Sequence, residues 1–219
     1  MTRRRIYLMR HAAVAYFENG RPLRPEDVPL TEEGIEQAGA AGAALASVRF
    51  DRAVTSGLPR SIETARIVAP GVEAEPWPEL RELEGARLGD IPEDQLERAF
   101  VQAFHGILSE ETRFLGGETI GSLFDRVLPA LDRLLADPAW DVLLAVLHGG
   151  VNRAILSYAL TGRRMFLGGF EQAPACINVL DVGDTGWIVR AVNVAPYDPV
   201  HLRGRLTTME ELWAEFRST

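Results

Sequence analysis

The sequence predicts an α/β fold in which a six-stranded sheet, mixed but mainly parallel, is flanked by helices on both faces. Two observations lead to this prediction. Short apolar segments alternate along the chain with segments of helical periodicity, which is typical of a parallel sheet crossed by helices. The last two apolar segments are separated only by "GDTG", residues 183–186, which predicts a hairpin and one antiparallel strand.

Six segments have the composition of β-strands. Each is short, rich in apolar or β-branched residues, and bounded by glycine, proline, aspartate or serine. They span residues 5–10, 51–55, 72–75, 142–147, 176–182 and 187–194. The first is followed by a polar loop with three prolines, residues 16–30. Because ligands of open α/β sheets bind beyond the carboxyl ends of the strands, this loop is expected to border a site.

Five helices are predicted between these strands. Thr31 is placed to cap the first, over residues 32–47, whose first turn is acidic. The third begins near Pro92 and has apolar residues at helical spacing through Phe104 and Ile107. The other three helices span residues 58–69, 118–136 and 150–160.

The 219 residues are expected to form one domain, 1–219, in which 195–219 is a C-terminal extension ending in an amphipathic helix. A net charge of −8 argues against nucleic acid or an anionic membrane as a partner. No apolar stretch approaches the roughly 18 residues of a membrane span. Cys176 is the only cysteine, so no internal disulfide is possible. These features together favour a cytoplasmic protein, and they leave its oligomeric state open.

Several kinds of functional site are absent from the sequence. It contains no P-loop, no glycine-rich dinucleotide motif after the first strand and no G-x-S-x-G elbow. The four histidines and the cysteine lack the spacing of metal ligands, so no metal and no other cofactor is expected.

What remains is a set of charged and imidazole side chains at the predicted strand ends. Arg10 and His11 end the first strand, Arg60 begins the helix after the second, and His148 follows the fourth. Glu82 lies in the loop after the third. Two arginines can hold a phosphoryl group, and a neutral imidazole can attack phosphorus. A carboxylic acid can protonate the leaving oxygen. The set therefore predicts phosphoryl transfer without a metal.

Five segments match motifs of one family, in the family's order and over nearly the whole chain. The chain resembles the histidine phosphatase superfamily, also called phosphoglycerate mutase-like. The matching segments are "RHA" at residues 10–12, "PLTEEGIEQA" at 29–38, "SGLPRSIETA" at 56–65, "LRE" at 80–82 and "HGG" at 148–150.

The resemblance implies a role for each matched residue. His11 would be the nucleophile that becomes phosphohistidine, and Glu82 would be the proton donor. Arg10, Arg60 and His148 would bind the phosphoryl group, so that His148 belongs to both the catalytic and the phosphate-binding sets. The implied fold is a mixed sheet flanked by helices, with no cofactor metal.

The chain also departs from the family pattern. The glycine that usually follows the nucleophilic histidine is Ala12. Polar residues that many members carry shortly afterwards are replaced by Ala13, Val14 and Phe17, and the W-E-G after the acid is replaced by "LGD", residues 88–90. These changes leave the phosphoryl site in place and alter the surroundings that would contact the rest of a substrate.

Two alternatives concern individual site residues. Glu79 and Glu84 are close enough to Glu82 for a shift of the loop to exchange their roles. His105, within the third predicted helix, is interpreted as a surface or packing residue, and His201, in the C-terminal segment, is interpreted as structural.

The sequence-based hypothesis for function is a histidine acid phosphatase-type phosphoric monoester hydrolase that acts on a phosphorylated small molecule. A phosphoglycerate mutase would use the same residues. Hydrolysis is favoured because only 65 residues separate Glu82 from His148, and because Gly150 stands where mutases of the family tend to have asparagine. A non-catalytic module that binds a phospho-ligand or a protein is the third alternative, but this chain keeps the nucleophile and both arginines.

The identity of the substrate is not encoded in these motifs. Four further arginines could meet a second anionic group of a substrate, although each could equally be an ordinary surface residue. They are Arg21, Arg24, Arg87 and Arg153.

Overall fold

The computed structural model describes residues 3–18, 21–202 and 205–218. Its strands are Arg4–Arg10 (β1), Phe17–Glu18 (β2), Arg21–Pro22 (β3), Arg52–Thr55 (β4), Ala74–Pro76 (β5), Ile107–Leu108 (β6), Val142–Leu147 (β7), Phe166–Leu167 (β8), Ile177–Gly183 (β9) and Gly186–Val194 (β10). Its α-helices are Glu32–Ala44 (α1), Pro59–Val68 (α2), Glu93–Val101 (α3), Ile120–Ala136 (α4), Gly149–Thr161 (α5) and Thr208–Ser218 (α6).

Six strands form one twisted sheet in the order β10-β9-β1-β7-β4-β5. Strands β1, β7, β4 and β5 are parallel, whereas β9 runs antiparallel to both of its neighbours. The predicted fold class is confirmed, including the hairpin, whose first pair is Gly183 with Gly186. Two short ribbons, β2-β3 and β6-β8, lie outside this sheet.

A hydrophobic core lies on each face of the sheet. Helices α1 and α2 cover one face with small apolar residues such as Ala38, Ala41 and Ala65. Helices α4 and α5 cover the other face with larger side chains, among them Leu123, Phe124 and Ile155. The parallel strands are therefore buried on both sides, as their nearly continuous apolar sequences require.

Helix α1 begins where the sequence predicts. The side-chain oxygen of Thr31 accepts a hydrogen bond from the N–H of Gly34, which satisfies one of the free donors of the first turn. Helix α3 ends earlier than predicted, at Val101. The chain turns at Gly106, whose φ is +73°, and then pairs with β8. Phe104 therefore leaves the helix and stacks on Phe114 and Phe166.

His105 was predicted to lie within a helix, and this is wrong because α3 ends before it. The side chain is exposed, as expected for a surface residue. His201 is also exposed, in the segment before α6. The amphipathic helix predicted in the C-terminal extension is present as α6 and packs on α3. Its Trp213 and Phe216 have ring centroids 5.6 and 5.8 Å from that of the buried Phe100.

The order of the strands decides which side chains can meet. Strand β7 lies between β1 and β4, and the register pairs Arg10 with Leu147 and Thr55 with Val146. The residues that follow these three strands therefore emerge side by side at one edge of the sheet. Among the helices of the described residues, none is long and apolar enough to cross a membrane.

Candidate active site

His11 is the first residue after β1, and it is almost completely buried. Its backbone N–H donates to the carbonyl of Leu147 at 2.9 Å, which ties it to the end of β7. Its Nδ1 lies 2.8 Å from the carbonyl oxygen of Ala12. Because a carbonyl can only accept, this bond places the ring proton on Nδ1. The lone pair of the neutral ring is then on Nε2, the nitrogen available for attack.

The segment that follows His11 is fixed by residues of the stretch 29–38, one of the five segments that match family motifs. The N–H of Ala13 donates to the side chain of Gln37, and the carbonyl of Ala13 accepts from the N–H of Thr31, both at 3.0 Å. A Cβ on Gly34 would lie 2.1 Å from that carbonyl oxygen, so only glycine fits there. This motif therefore holds the backbone beside His11.

The stretch 56–65 contributes to the same region in two ways. Thr64 accepts a hydrogen bond from the N–H of Ala12 at 3.1 Å and donates to the carbonyl of Arg60 at 2.7 Å. Ser56 lies 2.7 Å from Nε2 of His148 and 2.9 Å from the hydroxyl of Ser61. The motif thereby connects helix α2 to both histidines.

The hydrogen bonds of the Ser56 and Ser61 hydroxyl groups also define the tautomer of His148. Ser61 donates to the carbonyl of Leu58 at 2.8 Å, so it accepts from Ser56. Ser56, having given its proton to Ser61, accepts from Nε2 of His148. The proton of the neutral His148 ring is therefore on Nε2, and Nδ1 is left with a lone pair that can share a proton with a phosphoryl oxygen.

The two imidazoles are neighbours, with ring centroids 5.1 Å apart and planes at 64°. Burial lowers the pKa of His11 well below its usual value, and the charges of Arg10 and Arg60 add to this effect. Burial likewise lowers the pKa of His148, with further contributions from His11 and the same two arginines. Both rings are thus neutral at neutral pH, and a neutral His11 is the form that can attack.

Arg10 and Arg60 are both buried, and each is held by one end of its guanidinium. Nη1 of Arg10 donates to the carbonyl of Gln172 at 2.6 Å and to the hydroxyl of Thr208 at 2.7 Å. Nη1 of Arg60 donates to the carbonyl of Pro25 at 2.9 Å. These bonds fix the two guanidinium groups while leaving other N–H donors for a ligand.

Three buried nitrogens of this cluster have no hydrogen-bond partner within the part of the chain that the structure describes: Arg10 Nε, Arg60 Nε and His148 Nδ1. Unpaired buried donors cost roughly 1–3 kcal/mol each, and more when they carry charge. Two positively charged donors and an adjacent imidazole in one buried site match the oxygens of a phosphoryl group. The site thus fits a small anion.

Glu82 lies at the N-terminus of α5, which begins immediately after His148. The N–H of Gly150 lies 3.1 and 3.0 Å from the two carboxylate oxygens, and the N–H of Leu83 lies 3.0 Å from Oε1. The two alternative acids point elsewhere: Glu79 forms an ion pair with Arg133 at 2.6 Å, and Glu84 is exposed. Of the three glutamates, the structure brings Glu82 to the histidines and arginines.

The loop that carries Glu82, residues 78–84 (the acid loop), is held in place by two residues that were not predicted from the sequence, Arg126 of α4 and Glu118. Arg126 donates to the loop carbonyls of Glu79, Arg81 and Glu82, at 2.7, 2.6 and 3.3 Å. Its guanidinium is also held by both oxygens of Glu118, at 2.8 and 2.9 Å.

The same brace continues beyond Glu82. The N–H of Glu84 donates to the Glu118 carboxylate at 3.3 Å, and the N–H of Glu118 donates to the Glu84 carbonyl at 2.7 Å. Both sides of the acid are therefore tied to one ion pair. No sequence motif quoted above predicted that Arg126 and Glu118 would hold this loop.

A second network that the sequence did not reveal supports Arg10. The side chain of Gln172, whose carbonyl accepts from Arg10, is bonded to Asn152 at 3.1 Å and to Asn178 at 2.8 and 3.0 Å. Asn178 is anchored in turn to the carbonyl of Leu8 at 2.8 Å. All three amides are fully buried, so this polar chain fixes the position of Gln172 beneath the arginine.

The four arginines suggested as substrate contacts differ in their surroundings. Arg24 is exposed and pairs with Asp27 at 2.7 Å, and Arg87 is exposed in the loop after the acid. Arg153 is buried, donates to the carbonyl of Gly168 at 3.0 Å, and pairs with Glu171 at 3.3 Å. Arg21 lies in β3, and its side chain lies outside the described part of the structure.

Arg153 is also close to the site. Its Nη1 lies 3.1 Å from the position that a Cβ on Gly149 would occupy, beside Glu82 Oε2 at 3.7 Å and Arg10 Nε at 3.9 Å. Of the residues that the structure describes, no three His, Cys, Asp or Glu side chains are grouped so that they could hold a metal ion.

The family model of the histidine phosphatase superfamily (branch 1) matches residues 6–195, which is most of the chain and includes every residue of the cluster from Arg10 to His148. The chain belongs to the histidine phosphatase superfamily. A curated relative named "Probable phosphoglycerate mutase GpmB", from Yersinia pestis (strain Pestoides F), is 33% identical over 161 residues, covering 71% of this chain and 74% of the relative.

Solved structures of the superfamily have the same fold. The alpha-ribazole phosphatase from Shigella flexneri has a TM-score of 0.70 at 24% identity, covering 86% of this chain and 96% of that one. The mycobacterial glucosyl-3-phosphoglycerate phosphatase in complex with inorganic phosphate has a TM-score of 0.70 at 23% identity, with coverages of 88% and 98%. Helix α6 lies beyond the residues that the superfamily model matches.

Proposed function

We propose that the protein is a metal-independent phosphomonoesterase that hydrolyses a phosphorylated small molecule through a phosphohistidine intermediate. The observation that carries the proposal is the state of His11. It is a buried, neutral imidazole with its proton on Nδ1 and its lone pair on Nε2, beside two arginines with unpartnered Nε–H groups. This arrangement combines a nucleophile with a receptor for its phosphoryl target.

In the first step, Nε2 of His11 attacks phosphorus and the bond from phosphorus to the ester oxygen breaks. The leaving alkoxide takes the proton of the protonated Glu82 side chain. In the second step, a water molecule attacks the phosphohistidine and gives a proton to the Glu82 carboxylate. Inorganic phosphate leaves, and His11 and the protonated Glu82 are both restored.

Charge on the transferred group is balanced by the protein in this scheme. Arg10 and Arg60 hold two of the phosphoryl oxygens through their N–H groups. The lone pair on Nδ1 of His148 accepts a hydrogen bond from the third oxygen, which carries the proton of a monoanionic phosphoryl group. The pocket is buried, so these interactions are stronger than they would be in water. The same charge distribution is the reason that no divalent ion is required.

A phosphoglycerate mutase is the second candidate, because it shares this chemistry and the Yersinia relative carries that name. Two features support hydrolysis. The chain has only 65 residues between Glu82 and His148, and the space beside Gly150 is occupied by Glu82 itself. A non-catalytic binding role is disfavoured because the nucleophile and both arginines are present.

The test is a rapid-quench experiment with a ³²P-labelled aryl phosphate, in a buffer that contains EDTA. Wild-type protein is expected to trap acid-labile, base-stable label, and His11→Ala is expected to trap none and to lose about 10³-fold or more in turnover. Gln95→Ala, an exposed change in α3, is the matched control and should behave as wild type. Near-normal turnover of His11→Ala would contradict the phosphohistidine, and loss of wild-type turnover in EDTA would contradict metal independence.

A further inference from the structure

An open groove with a volume of about 1090 Å³ runs along the surface between loop 23–25, loop 85–92, the start of α3 and the end of α6. This volume is at the upper end of ordinary small-molecule sites. Its floor and sides are largely apolar and include Leu23, Leu88, Ile91, Leu96 and Phe216.

Three of the groove's walls are physically tied to residues of the phosphoryl site. Loop 85–92 starts three residues after Glu82, the proposed proton donor. Pro25, on the opposite wall, accepts the hydrogen bond of Arg60. Phe216 belongs to α6, whose first residue, Thr208, accepts from Arg10. The groove therefore lies next to the site, because Pro25 both lines the groove and contacts Arg60.

The charges around the groove do not favour a second anion. Arg24 is paired with Asp27 at 2.7 Å, and Arg81 lies 3.8 Å from Glu26. Among the residues that the structure describes, one arginine lines the groove, Arg87, and it shares the groove with Asp90 and Glu93. The described residues therefore offer a second phosphate or carboxylate no concentration of positive charge in the groove, in contrast to the buried arginines that receive the first.

We infer that this groove binds the leaving group of the substrate, and that this group is a bulky, uncharged and largely apolar alcohol. The inference rests on the proposed function, since it assigns the substrate class of that same site. Part of the groove is supplied by α6, which lies outside residues 6–195 matched by the superfamily model. Only the Phe216 wall comes from this C-terminal segment, and the other lining residues lie within the matched range.

The inference is tested by kcat/KM for a series of n-alkyl phosphates from propyl to heptyl, with p-nitrophenyl phosphate and 3-phosphoglycerate alongside. The leaving alcohols of the alkyl series have nearly the same pKa, so the series varies apolar contact at constant chemistry. Wild-type kcat/KM should rise about fourfold for each methylene that the groove buries. Of all these esters, 3-phosphoglycerate should have the lowest ratio of its kcat/KM to that of the heptyl ester.

Leu96→Ala and Leu88→Ala should flatten the alkyl series, because each removes apolar contact surface from the groove. Leu160→Ala, which removes an equally large but exposed side chain near the end of α5, should leave the series as steep as in wild type. Phe216→Ala should act like Leu96→Ala if α6 forms the wall.

The possible failures are distinguishable. Turnover of p-nitrophenyl phosphate with a flat alkyl series, or with 3-phosphoglycerate preferred, would overturn this inference and leave the phosphatase intact. Absence of turnover and of labelled histidine with every ester would overturn the proposed function and this inference together. A steep series that Leu96→Ala, Leu88→Ala and Phe216→Ala all leave unchanged would place the apolar site elsewhere and would also overturn the inference.

Discussion

Gly150 illustrates how a single residue sets the position of the proposed acid. Its N–H donates to both oxygens of Glu82, and a Cβ at this position would lie 2.6 Å from Oε1 and 2.8 Å from Cδ1 of Leu83. A side chain here would therefore displace the carboxylate from the helix N-terminus, even though the helical backbone itself would tolerate alanine.

Gly150→Ala is expected to impair protonation of the leaving group more than attack by His11. General acid–base help is typically worth about 10²- to 10⁴-fold, and an aryl leaving group needs little of it. We expect a large loss of kcat for butyl phosphate and a much smaller one for p-nitrophenyl phosphate. Gly39→Ala in α1, where nothing lies within 4 Å of the added Cβ, is the control. Equal losses for both esters would mean that Glu82 does not act on the leaving oxygen.

At this scale the sequence predicted which side chains would meet but not the contacts that support them. The proximity of Arg10, Arg60 and His148 could be predicted, because each follows or borders the end of a parallel strand. The bonds of Arg10 to Gln172 and Thr208 could not be predicted. Gln172 is separated from Arg10 by 162 positions in the sequence and Thr208 by 198, and neither lies in a segment with a strand pattern.

The acid loop has little regular structure of its own, and its position is fixed by the side chain of Arg126. Residues 78–84 contain only one short 3₁₀ turn, Pro78–Leu80, and their carbonyls are gathered by the guanidinium of Arg126. Lysine could not replace this fork, because its ammonium is a point donor without the planar geometry that spans several acceptors.

Arg126→Lys is expected to loosen the loop and lower kcat for alkyl esters by about 10²-fold, the usual order of cost for misplacing a catalytic group by about 1 Å. Amide hydrogen exchange in residues 79–84 should accelerate in the same variant, because lysine keeps the charge but loses the fork of N–H donors that holds the loop carbonyls. Arg133→Lys, two turns further along α4, changes an exposed ion pair to Glu79 and should do neither. Unchanged exchange together with unchanged kcat would show that the loop needs no brace.

The positions of helices with strong periodicity could be predicted from the sequence. The end of a helix could not be predicted where contacts with a distant segment decide it. Helices α1, α2, α4 and α5 have their predicted positions within a few residues because each has a cap or an apolar stripe against the sheet. Helix α3 was predicted too long, since the apolar spacing of Phe104 and Ile107 serves instead for an aromatic stack and a ribbon with β8.

At the scale of the whole molecule, burying the polar groups of the site lowers the free energy of unfolding. Two neutral imidazoles and two arginines are buried together, with three nitrogens unpartnered among the described residues. The C-terminal segment partly covers this arrangement, and the sequence could predict helix α6 from its amphipathic pattern. It could not predict that α6 would pack on Phe100 or reach Arg10, because helical periodicity says which face is apolar and not what it contacts.

The buried histidines should make folding sensitive to mild acid. In the unfolded chain a histidine has a pKa of about 6.5, whereas burial holds the pKa of His11 and of His148 well below that value in the fold. The unfolded state therefore binds more protons below about pH 6.5, and the free energy of unfolding falls as pH falls. Each histidine can contribute up to about 2 kcal/mol of this loss between pH 7 and 5.

The measurement is urea unfolding between pH 7 and 5 in phosphate-free buffer. His11→Gln/His148→Gln should flatten the pH dependence, whatever its effect on stability at pH 7, because the glutamines cannot take up the proton that drives it. His105→Gln/His201→Gln removes two exposed histidines and should leave the slope unchanged. Asp181, whose pKa the hydrogen bond from Arg5 lowers, loses its contribution only as pH falls below about 4, outside this window. A wild-type slope retained in His11→Gln/His148→Gln would show that the two rings are not held neutral in the folded protein, and nucleophilic attack by His11 would then require a different source of the free base.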